Sequence, residues 1–182
     1  MFKLSPNRAL EKILDKHLHM ADLEPATPEE QAYAKSIWES LTEGERKNAI
    51  DLNKGFGYFG DGSEFEGKYL TDTISEYVAS DEIMAGSTDV SDVSWIVPTA
   101  QLSAATSALG TPLHTWQMTT QGISTFAHNG MMRAAEAMAG AAIELYVNPA
   151  GLIEVKQEHE ETFAHEPYVC PIPANVKPSA MK

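Results

Sequence analysis

Leu10, Ile13, Leu14 and Leu18 recur at helical spacing, with Glu11, Lys12, Asp15 and Lys16 between them. This pattern lays one apolar stripe along a helix over residues 6–20, with Asn7 placed as its N-cap. Thr27-Pro28-Glu29-Glu30 reads as an N-cap, a proline in the first helical position and an acidic first turn facing the positive end of the helix dipole. Tyr33, Ala34, Ile37, Trp38 and Leu41 then form one apolar face, and Glu43-Gly44 ends the run. Residues 51–70 are glycine-rich, acidic and studded with aromatics. They read as a surface loop or loose hairpin pinned by Phe56, Tyr58 and Phe59. The glycines resemble a phosphate cradle only superficially, because no lysine–Ser/Thr pair follows at P-loop spacing.

The texture changes after Asp81. Ser91–Val97 fits a short helix or a strand, and Pro98 closes it either way. Thr99–Thr106, TAQLSAAT, alternates small and apolar residues and predicts a buried strand. Leu109–Thr120 has no helical period and predicts a loop. From Ser124 to Tyr146 the chain is apolar or small nearly all round, the pattern of a helix buried between layers, its Met131, Ala135, Met138 and Ala142 side included. Asn148-Pro149 breaks that helix, and another over 150–163 carries EVKQEHEE on its wet side. The tail from Pro167 is proline-rich and extended. Together these elements predict an α/β fold, four main helices packed on a small sheet.

At 182 residues the chain suits a single domain. Its 43% hydrophobic and 21% charged residues are ordinary for a globular protein. Thirteen Lys+Arg against 26 Asp+Glu give a formal charge of −13. Such a surface repels phosphate backbones and anionic membranes, so neither nucleic acid nor membrane is an expected partner. Cys170, the one cysteine, has no internal partner for a disulfide. No run approaches the roughly 20 apolar residues that span a bilayer. The opening residues lack the apolar core and cleavage signal of a secretory leader. The expected location is cytoplasmic.

Chemistry-bearing residues gather in Gly86-Ser87-Thr88-Asp89-Val90-Ser91-Asp92 and in Gly110-Thr111-Pro112-Leu113-His114-Thr115. These segments put hydroxyls, two carboxylates and an imidazole on loops flanking the expected strand, and loops at strand ends are where α/β folds bind ligands. Spacing alone defines a candidate site and no reaction. His17 and His19 cannot both face one metal from a single helix. Glu160-Glu161 reads as a solvated face, His159 and His165 sit among glutamates, and Cys170 reads as structural.

GSTDVSDVSWIVPTAQ, GTPLHTWQ, the AHNGMMRAAEAMA helix and the YVCPIPANVKP tail, in that order, resemble the C-terminal part of zinc amidohydrolases of the aminobenzoyl-glutamate utilization protein B type. These lie within the aminoacylase/carboxypeptidase metallopeptidase family. LSPNRALEKILDKHL and TPEEQAYAKSIW resemble the segment that re-enters the catalytic domain after that family's inserted lid. The resemblance implies a partial zinc-peptidase-like catalytic domain over residues 1–182, with 1–50 following the lid and 81–182 holding the site loops. It implies a two-zinc site, with His114 as the last metal ligand and Thr88 and Asp89 lining the active site. It also implies that Trp95 and Trp116 line the pocket, where an aromatic substrate would stack, with core packing as the alternative. Ser91 stands where relatives are expected to have glycine, which would tighten the turn after Asp89.

The family's remaining ligands and its catalytic glutamate precede the lid, and this chain has no H-x-D motif. No catalytic residue is therefore assigned here. The implied substrate is a small acyl- or aroyl-amino-acid amide, dipeptide-like, such as aminobenzoyl-glutamate. The isolated chain is expected to be inactive and to expose apolar surface. A second chain supplying the N-terminal half, or a second copy, would cover that surface. The alternative is a non-catalytic truncated product or a binding or regulatory subunit that keeps the fold without the chemistry.

Overall fold

The computed structural model describes residues 3–21, 24–55, 57–80, 88–173, 175–177 and 179. The long helices fall where local chemistry puts them. Helix α1 spans Arg8–Met20, and the Asn7 side chain accepts the Leu10 N–H at its start. Helix α2 spans Pro28–Ser40 with a complete capping box between Thr27 and Glu30. Two short helices follow, α3 at Glu43–Lys47 and α4 at Ala49–Lys54, then a single 3-10 turn at Ser63–Phe65. The rest are α5 at Val90–Ser94, α6 at Trp116–Gln121, α7 at Thr125–Val147 and α8 at Pro149–Phe163. None of the described helices is long and apolar enough to cross a membrane.

The expected small sheet is absent: the described residues contain helices and no strand. Residues 99–106 form no regular secondary structure, and a strand exists only with a ladder partner. The segment instead lies against helices, with Ala100 and Leu102 packed on a cluster of Leu14, Ala137 and Ala141. Glu43-Gly44 opens α3 where the end of α2 was expected, because Thr42 and Glu45 form a second capping box. The expected loop over 109–120 contains the start of α6, capped by Thr115. Residues 51–70 are irregular apart from the end of α4 and the 3-10 turn. Their anchors are Tyr58 and Phe65, in ring contact at 5.1 Å, whereas Phe59 is exposed and Phe56 lies outside the described residues.

Helices α1, α7 and α8 form a bundle. Asn7 is one of its nodes: besides capping α1, it donates its side-chain amide to the Val155 carbonyl of α8 and its backbone N–H to Thr99. The Glu158 carboxylate of α8 accepts the N–H groups of Arg8 and Ala9 at 2.6 and 2.7 Å, which places a negative charge at the positive end of α1. Where α1 crosses α7, Lys16 and His17 share Glu144, each at 2.7 Å. The hydrogen bonds from Lys16 and His17 hold the Glu144 carboxyl below its ordinary range. Gly140 lets the helices approach there, since a methyl would strike the His17 ring.

Gly130 does the same for residues 99–106, where a methyl would overlap the Ala105 carbonyl. Alanine normally favours a helix interior over glycine by about 1 kcal/mol. Here Gly130→Ala is expected to destabilise the protein by about 1–2 kcal/mol in urea titration, because rigid backbone must shift. A neutral or stabilising result would contradict the contact.

Helix α2 joins the bundle at the start of α7. Ala34 and Ile37 share a core with Leu70, Ala108, Phe126 and Ala127, and the Thr125 hydroxyl donates to the Glu30 carboxylate. That bond, with the Thr27 backbone N–H, lowers the Glu30 pKa below its usual 4.5. The folded state therefore binds this proton less readily than the unfolded chain does. The stabilisation is present at neutral pH and is lost as pH falls through the ordinary carboxylate range and below. Urea midpoints for wild type and Glu30→Gln are expected to converge between pH 7 and pH 3, and a constant gap would contradict this coupling.

The helix expected to be buried between layers is buried on one side alone. Ala137 and Ala141 face α1, but Met131 is 56% exposed and Met138 54%, and Ala135 and Ala142 are also exposed. Helix composition identifies a face fit for burial; the described residues provide cover for only half of it.

Candidate functional site

The first site loop leads into α5. Thr88 Oγ1 accepts the Val90 N–H at 3.3 Å, and the buried Ser91 donates its hydroxyl to the Thr88 carbonyl at 2.6 Å. Ser91 thus fastens the turn after Asp89. The Thr88 and Asp89 side chains are exposed, and Gly86 and Ser87 lie outside the described residues. Behind the turn, Tyr168 from the tail meets α5. Burial and the neighbouring Cys170 and Asp92 push its phenol up to about 12. Oδ1 of Asp92 is buried without a hydrogen-bond partner among the described residues.

The second loop is held more firmly. Gly110 has φ +74°, and a methyl there would meet Ala49 Cβ at 2.8 Å and the Trp38 ring at 3.2 Å, so both conformation and space require glycine. Thr111 donates its hydroxyl to the Ala108 carbonyl at 2.6 Å. Beneath the turn lies Gln121, 0% exposed. Its Oε1 accepts the Ala108 N–H at 2.6 Å, and its Nε2 donates to Thr111 Oγ1 at 3.1 Å and to the Gln117 carbonyl at 3.0 Å. At the other end of the loop, Thr115 donates to the Pro112 carbonyl and caps α6 by accepting the Met118 N–H.

His114 sits between these two fixed ends. Its φ is +60°, the left-handed region, and among the described residues no other non-glycine residue adopts a positive φ. Strained backbone of this kind persists where the surroundings over-determine it, and it concentrates at functional sites. The side chain is exposed. Trp116, the first residue of α6, is 63% exposed. No described hydrogen bond or ion pair joins His114 to Thr88, Asp89 or Trp116. The hollows described lie elsewhere, beside Asn7 and His159 and between α2 and the 67–72 turn.

Three of the other five histidines have structural partners: His17 has Glu144, His19 has Asp15, and His159 rests against the Ser94 carbonyl and the Phe163 ring. Glu160 and Glu161 are exposed, in keeping with a solvated face. Among the described residues no group of three or more His, Cys, Asp or Glu is placed to hold a metal ion. Zinc sites use three or four protein ligands. The described donors therefore do not make a complete zinc site.

The chain is related to a subunit of a hydrolase, as its motifs implied. The relative is one of the subunits of p-aminobenzoyl-glutamate hydrolase from Escherichia coli (strain K12), 39% identical over 181 residues. The match takes in 97% of this chain and 37% of that protein, whose C-terminal part it covers. The chain thus spans little more than a third of its relative's length. No protein-family model matches it. No solved structure matches it either.

Proposed function

We propose that this chain is the C-terminal segment of a metal-dependent hydrolase of acyl- or aroyl-amino-acid amides, with p-aminobenzoyl-glutamate as the model substrate, working in the cytoplasm. The supporting observation is the left-handed backbone of His114 between two pinned ends, at the position that the resemblance assigns to the family's last metal ligand. In this reading His114 is the segment's contribution to a zinc centre. The other ligands and the catalytic glutamate belong to a polypeptide equivalent to the preceding part of the relative. Thr88, Asp89 and Trp116 line the substrate side. The isolated segment neither holds zinc tightly nor hydrolyses amides.

Calorimetric titration with zinc tests this assignment. The isolated chain is expected to bind weakly, with a Kd above roughly 10 μM, because one imidazole is far short of a zinc ligand set. Adding the preceding part of the relative is expected to convert this to tight binding that His114→Ala weakens at least about 100-fold. Tight zinc binding by the isolated chain, or binding in the assembled state that ignores His114, would contradict it.

A further inference from the structure

Helix α7 has two apolar sides and one of them is bare. Ala137 and Ala141 are buried against Leu14 of α1. The opposite side carries Met131, Met132, Met138, Ile143 and Tyr146, with the exposed Ala135, Ala139 and Ala142 between them. Ile143 is 62% exposed and Tyr146 89%. These positions repeat at helical spacing along most of a 23-residue helix. A solvent-facing helix side is normally charged, and a continuous apolar stripe marks a surface that something covers. Small alanines permit close approach, and flexible methionines fill an irregular partner surface.

We propose that this stripe is the docking surface for the polypeptide equivalent to the preceding part of the relative, which presents an apolar face of its own. The matched region is the C-terminal 37% of that protein, so the greater part of the relative's chain lies before it and is available to cover the stripe. A second copy is a poorer occupant, because two chains of charge −13 repel each other on approach. The inference rests on the kinship used in the proposed function and not on the role given to His114.

Methionine oxidation reads this surface directly, since sulfoxide formation follows exposure. Met20, 67% exposed on α1, is the internal control. The isolated chain, and the chain mixed with the preceding part of the E. coli relative, are treated with dilute peroxide and oxidation is followed by mass spectrometry. The expected result is at least a ten-fold slowing at Met131 and Met138 in the mixture, with Met20 unchanged. Met138→Glu, its fold checked by circular dichroism, is expected to weaken association at least 100-fold. Absence of a complex, a complex in which Met131 and Met138 react as fast as before, or protection in the isolated chain that grows with its own concentration would each overturn the proposal. A protected complex that binds no zinc would uphold the docking surface and defeat the proposed function alone.

Discussion

Gln121→Ala is expected to destabilise the protein by about 3 kcal/mol, one of the largest effects available from a single polar side chain here. Gln121 is fully buried and makes three hydrogen bonds. Truncation leaves the Ala108 N–H without its acceptor, and an unsatisfied buried donor costs about 1–3 kcal/mol. The emptied volume adds a cavity term of similar order. For a chain of this size, such a loss lowers Tm by about 6–12 °C. The exposed neighbour Thr120 supplies the control, and Thr120→Ala is expected to stay within about 0.5 kcal/mol. Because Gln121 clamps the turn over 108–111, the variant should also speed hydrogen exchange across residues 108–115, ahead of global unfolding. Urea titration and exchange mass spectrometry check both parts. A stability loss with unchanged exchange in the loop would remove Gln121 as the residue that positions the His114 loop.

The sequence discloses what is decided within a few residues. Asn7 and Thr27 cap α1 and α2 as expected, because each cap is one side chain meeting an amide three positions on. The Thr42–Glu45 box is equally local and equally legible, but the end of the α2 apolar stripe draws attention away from it. Helix α6 escapes periodicity because six residues scarcely make two turns, and only its Thr115 cap announces it. The segment over 99–106 shows the other limit. Its alternation suits a strand, but a ladder requires a second strand, and none is found among the described residues. The side chains fit helix packing instead.

Burial is legible only as compatibility. The α7 pattern states that Met138 and Ala137 both tolerate a core, yet Ala137 is 0% exposed and Met138 54%. The difference depends on where α1 lies, which no property of α7 encodes. The site divides likewise. Its motif residues are readable through resemblance, but their support is not, since Gln121 lies ten positions beyond Thr111 and resembles any helix glutamine. The left-handed backbone of His114 has no sequence signal, as histidine only tolerates that region better than most residues.

Hydrolysis carries the other large expected effect. A metal-assisted amide cleavage depends on every ligand that fixes the ion, so loss of one is expected to remove most of the rate. The direct measurement is the rate of p-aminobenzoyl-glutamate hydrolysis, in the presence of zinc, by this chain combined with the preceding part of its E. coli relative, with wild-type His114 and with His114→Ala. No hydrolysis is expected from either part alone, clear hydrolysis from the combination, and a fall of at least about 1,000-fold on substitution, equal to about 4 kcal/mol of transition-state stabilisation. Equal rates for the two combinations, or hydrolysis by the isolated chain, would contradict the proposed function.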